Sequence, residues 1–104
     1  MEITEIRVTL RNEEKLKAFV NITFDDAFVV RGLKVIKGNS GFFVSMPSRK
    51  RPNGTHQDIA HPVNNDARRL IEQRVLEAYQ EQLKLDSAYI STGEDSTGFE
   101  SNFG

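Results

Sequence analysis

The sequence predicts a single α+β domain: a four- to five-stranded antiparallel β-sheet in meander order, with one C-terminal α-helix packed on it. Three observations carry this. Apolar and polar residues alternate along most of the first half of the chain, the period of strands buried on one side. The links between those stretches are short, which suits antiparallel neighbours and excludes crossover helices. Apolar residues at helical spacing are convincing only once, after residue 64.

Each element follows in order. Ile6, Val8 and Leu10 alternate with Glu5, Arg7, Thr9 and Arg11, giving the first strand. Asn12–Lys15 reads as a turn, and Ala18, Val20, Ile22 and Phe24 alternate with Lys17, Phe19, Asn21 and Thr23 in a second strand. Asp25-Asp26 marks the next turn. Residues 28–36 form a third strand rich in β-branched side chains, and Gly32 inside it marks a bulge or twist point. Residues 37–41 are turn chemistry, and residues 42–46 return as a fourth strand. Asn64 or Asn65 caps the helix, Asp66 sits where the dipole favours an anion, and Ala67, Ile71, Val75 and Ala78 recur on one face. Leu83 is the last periodic position. Surface pairing is expected between Arg68 and Glu72, and between Arg74 and Glu77 or Glu81.

With 104 residues the chain has room for one core. The boundaries predicted are residues 1–84 for the domain and 85–104 for an acidic tail rich in Ser, Thr and Gly, expected to be disordered. A formal charge of −1 conceals a split: the first segment holds all 14 Lys and Arg against 11 Asp and Glu, while the tail holds carboxylates alone. Cysteine is absent, which removes disulfides, thiolate metal sites and a cysteine nucleophile. No apolar run approaches the length of a membrane span and no signal peptide is evident, so a cytoplasmic address is expected. A core this small, under a sheet that one helix covers only in part, favours a homodimer.

The chemistry concentrates between Gly41 and Asn64. A strand ending at Met46-Pro47 opens into Arg49, Lys50 and Arg51, followed by a Pro52-Asn53-Gly54 turn. Adjacent cations suit a phosphate backbone, because each neutralised phosphate releases counterions, and arginine adds bidentate geometry. Arg68 and Arg69, near the helix start, extend the candidate nucleic-acid surface. Residues 41–46, GFFVSM, resemble an RNA-recognition strand signature but are one residue short of it. Phe42 and Phe43 point to opposite faces, so one is core and the other free to stack on a base; Phe43 is assigned to the core and Phe42 to possible base stacking. His56, Asp58 and His61 match no metal-ligand spacing and are read as anchoring the turn before the helix. No nucleophile elbow, phosphate-binding glycine loop or set carboxylate pair is found, so neither catalysis nor a cofactor is expected.

Several segments together carry a family resemblance. They are ITEIRV at residues 3–8, AFVNITFD at 18–25 and FVV at 28–30, then LKVI at 33–36 and GNSG at 38–41. Most specific are FVSMPSR at 43–49 and DIAHPVN at 58–64. Together these segments resemble the SpoVG family of bacterial septation proteins (stage V sporulation protein G). The resemblance implies a small cytoplasmic dimer with a role in septation and, in spore formers, sporulation. It also implies regulation of gene expression through DNA or RNA binding, with basic residues of the helix and the preceding loop involved. The alternative is a septation adaptor that contacts a division-machinery protein without binding nucleic acid. Two features depart from the family pattern: the first hairpin, LRNEEKLKAF, lacks a glycine turn, and the tail from Leu85 has no counterpart.

Overall fold

The computed structural model describes residues 1–95. Strands β1 (Ile3–Leu10), β2 (Leu16–Phe24), β3 (Phe28–Gly38) and β4 (Gly41–Ser45) form one antiparallel sheet in the order β1-β2-β3-β4. Two short strands, β5 (Ser48–Lys50) and β6 (His56–Asp58), pair only with each other, and helix α1 (Asn65–Asp95) follows. The expected α+β meander is therefore present, with a four-stranded main sheet and a separate hairpin between sheet and helix.

One side of the sheet is the core. Ala18, Val20, Ile22 and Phe24 of β2 are buried, Leu33 and Val35 of β3 lie beside them, and Val44 and Met46 extend the layer past β4. Ile71, Val75 and Tyr79 of α1 close over it at the spacing of one helical face. Among the described residues no helix covers the other side of the sheet.

Gly32 does what a glycine inside a β-branched run suggests. Val20 pairs with Leu33 and Ile22 with Val30, so Asn21 faces an extra residue and β3 is bulged there. Gly32 has φ of +89°, and its N–H donates to the Asn21 side-chain oxygen at 3.3 Å. Both Val30 and Leu33 can then face the helix.

The turn after β2 is built from two residues in the left-handed region, Asp25 at φ of +53° and Asp26 at +51°. Aspartate tolerates that conformation better than most residues, and here the start of β1 holds it. The Asp25 carboxylate accepts from the Glu2 N–H at 3.0 Å, and the Asp26 N–H donates to the Thr4 hydroxyl at 2.9 Å. The first hairpin turns without glycine. The Arg11 N–H closes it on the Lys17 carbonyl at 2.9 Å, and the Lys17 ammonium donates to the Glu13 carbonyl at 2.7 Å.

Asn64 is the helix cap: its side-chain oxygen accepts from the Ala67 N–H at 2.7 Å. The helix does not stop at Leu83 but continues to Asp95. This corrects the expected start of the tail, because residues 85–95 are helical; the part of that expectation concerning residues 96–104 lies outside the described residues. A helix is extended by each residue bonding to the turn before it, so it can outrun the core that supports its first half.

Burial among apolar side chains raises the pKa of the Tyr79 hydroxyl above its ordinary value. The folded state thus binds that proton more tightly than the unfolded chain. Stability from this source is complete below the unfolded value of about 10 and falls as pH rises through the higher folded value. The denaturation midpoint of the wild type should consequently drop more steeply above about pH 10 than that of Tyr79→Phe. Parallel curves for the two proteins would show that the hydroxyl ionises as freely in the fold as out of it.

Candidate nucleic-acid interface

The basic segment is a β-ribbon rather than an open loop. Met46 and Pro47 are buried and fix its root, and the Pro47 carbonyl accepts from the Ile59 N–H at 2.7 Å across its base. Ser48 pairs with Asp58, Arg49 with Gln57 and Lys50 with His56. The tip is a tight turn in which the Gly54 N–H bonds the Arg51 carbonyl at 2.9 Å, with Gly54 at φ of +91°. Asn53 locks it, its side-chain oxygen accepting from both the N–H and the hydroxyl of Thr55 at 3.0 and 2.7 Å.

Pairing decides where the cations go. Cross-strand partners share a face of the ribbon and successive residues alternate. Lys50 lies with His56 on the face that also holds Ser48 and Asp58, while Arg49 lies with Gln57 on the other. All residues from Arg49 to Ile59 are exposed. Among the described residues the ion pairs are Arg7–Glu5, Arg11–Glu13 and Arg69–Asp66, so Arg49, Lys50 and Arg51 remain unneutralised. A two-stranded ribbon with cations on both faces has the dimensions to enter a major groove or track a phosphate backbone.

Arg68 and Arg69 are both exposed near the start of α1. Arg69 pairs with Asp66 at 2.5 Å, three residues earlier, in place of the expected Arg68–Glu72 pair. Glu77 accepts from Gln73 at 3.1 Å, and Arg74 takes part in none of the ion pairs found. Asp66 and Glu72 both lie three residues from Arg69, and Asp66 is the one in the first turn, where the dipole favours its charge. A pair this exposed is worth about 0–1 kcal/mol and yields readily to a phosphate. His56 and Asp58 are held by the ribbon pairing, whereas His61 lines a groove on the far side of Pro47.

Phe43 does not take the core place expected of it, and Phe42 lies on the helix side, still 40% exposed. Val44 pairs with Val35 on the helix side, so Phe42 shares that side and Phe43 faces away. The Phe42 ring meets buried Tyr79 with centroids 5.6 Å apart and planes tilted by 59°. Phe43 is 47% exposed on the helix-free face. The alternation of β4 alone could not say which of the pair took the helix side; its register with β3 does.

An apolar groove of about 580 Å³ opens between the end of the β2–β3 hairpin and the chain leading into α1, lined by Phe24, Phe28, Val30, Pro47, Val63 and Ile71. Phe28 is 67% exposed at its rim and Val63 87%. Sequence reasoning missed it because it joins segments distant in sequence. No helix among the described residues is long and apolar enough to cross a membrane.

Sheet, helix and ribbon together define a small α+β domain that holds an exposed, cation-bearing β-hairpin clear of its core. The chain belongs to the SpoVG family, whose profile matches residues 1–81. Among its relatives is a protein of Anaeromyxobacter sp. (strain Fw109-5), 54% identical over 93 residues, 89% of this chain and 96% of the relative. One from Bdellovibrio bacteriovorus is 55% identical over 84 residues, covering 81% of this chain and 78% of the relative. A third, from Thermoanaerobacter pseudethanolicus, is 48% identical over 90 residues, 86% and 98% of the two chains. All three carry the name "Putative septation protein SpoVG". The resemblance drawn from FVSMPSR and DIAHPVN is borne out.

Proposed function

We propose that this protein is a bacterial regulator of septation and cell division, and of sporulation in spore formers. In this reading it works in the cytoplasm as a small homodimer that binds nucleic acid through the β5–β6 ribbon. The septation role rests on the names of its relatives. The nucleic-acid reading rests on one observation: three consecutive cations lie on an exposed ribbon and none takes part in the ion pairs found among the described residues. Arg68 and Arg69 add charge near the helix start, where an arriving phosphate meets favourable dipole ends. The dimer is supported by apolar surface left open, with Met1, Phe28, Ile59 and Val63 all exposed. Two copies would carry two ribbons.

Fluorescence-anisotropy titration of the wild type on duplex DNA, single-stranded DNA and RNA, each at two salt concentrations, tests the reading. Binding should weaken with salt by roughly 0.9 log units per contacted phosphate on duplex DNA. Absence of binding to all three probes at low salt would overturn it. The apolar groove favours the second reading, a septation adaptor that docks a division-machinery protein, and binding of that kind would barely respond to salt.

A further inference from the structure

The face of the main sheet away from α1 combines an exposed aromatic ring with cations. Register assigns its residues: Thr9, Phe19 and Lys34 align across β1, β2 and β3, Ile36 pairs with Phe43, and Arg7 pairs with Asn21. The Phe43 ring lies over Gly38, where an added Cβ would come within 3.1 Å of it. Bare glycine beneath the ring thus lets it lie close to the sheet, with 47% of the residue still open. Phe19, about 12 Å away, two strands across and two residues along, already carries a guanidinium: Arg11 sits 5.4 Å over its ring.

Charge on this face favours an anion. Glu5 is engaged by Arg7 and Glu13 by Arg11, both at the β1 side. Lys34, at the centre between Phe19 and Ser45, takes part in none of the ion pairs among the described residues.

We propose that this face is a second nucleic-acid surface, selective for single strands, on which Phe43 stacks an unpaired base while Lys34 and Arg11 hold the flanking phosphates. A duplex keeps its base faces inside the stack and offers nothing for a flat ring to cover. A single strand can splay a base onto an aromatic and run its backbone past cations on the same sheet. The ribbon, being narrow and protruding, suits a groove or backbone; the sheet face, being broad and level, suits exposed bases. This inference rests on the nucleic-acid reading above and adds the strand type and the residues that choose it.

The test uses the full chain with fluorescein-labelled oligo(U) and oligo(dT) of about 12 nucleotides and a duplex of the same length. Phe43→Leu, which keeps an apolar side chain over Gly38, should weaken single-strand binding by at least about 5-fold and leave duplex binding unchanged. Lys34→Ala should act in the same direction. Phe43→Trp supplies a reading independent of any folding defect: its emission should be quenched by oligo(U) and not by the duplex. Wild-type affinity for single strands in Phe43→Leu, with no quenching in Phe43→Trp, would overturn the sheet-face proposal while leaving the ribbon reading in place. Failure of the wild type to bind any probe would overturn both.

Discussion

Replacing Arg49, Lys50 and Arg51 together by alanine should lower the affinity for duplex DNA by about 200-fold at 0.15 M salt and by about 3,000-fold at 0.05 M. The estimate follows from counterion release. Three phosphates left unneutralised remove roughly 2.7 from the slope of log affinity against log salt, and the loss grows as salt is diluted. The side chains are suited to such a substitution because the ribbon does not depend on them. Its register is held by backbone pairing, by the Pro47–Ile59 bond at the root and by Asn53 at the tip. The far-ultraviolet spectrum and melting temperature should therefore stay as in the wild type while the salt slope flattens. An unchanged slope in a folded variant would move the phosphate contact away from the ribbon, with Arg68 and Arg69 next to be replaced.

The second large effect is on stability. Leu33→Ala should destabilise the protein by about 2–5 kcal/mol, read as a fall of roughly 1–3 M in the urea midpoint. Leu33 is 2% exposed, pairs with Val20 and follows the bulge directly. Its neighbours are strand residues whose backbones are tied on both sides, so they cannot move in to fill the space. A small domain has about 5–15 kcal/mol in all, and this one substitution takes a large share. A loss under about 1 kcal/mol would mean that α1 slides inward to close the cavity.

The four strands, their antiparallel order and the helix were legible because each buries one face and so writes its period into the sequence. Gly32 was legible as an interruption, being the residue without a side chain in a run of β-branched ones. The β5–β6 ribbon was not. Ser48-Arg49-Lys50 and His56-Gln57-Asp58 bury almost nothing, so no apolar alternation marks them, and only the turn between them was readable. The cations were found as a cluster, but their division between two faces depends on cross-strand partners that no local pattern specifies. Phe42 and Phe43 failed in the same way, since the side each takes is set by β3. The helix beyond Leu83 was missed because backbone bonding continues there without the periodic burial used to detect it.

The bulge at Gly32 also has a consequence for chain length. It divides β3 into two halves whose inward positions differ in parity, Phe28 and Val30 before it and Leu33 and Val35 after. Losing the extra residue between Val30 and Leu33 would bring them to the ordinary spacing of two and keep both inward. Losing Lys34, between Leu33 and Val35, would instead shorten the strand by a few ångströms and leave its composition nearly intact. Yet it would turn one half inside out, with apolar side chains sent to water or polar ones to the core. Length variation in this protein is therefore cheap in the turn between β1 and β2, whose residues Arg11–Lys15 are all exposed. In the regular part of β3 past the bulge it is forbidden.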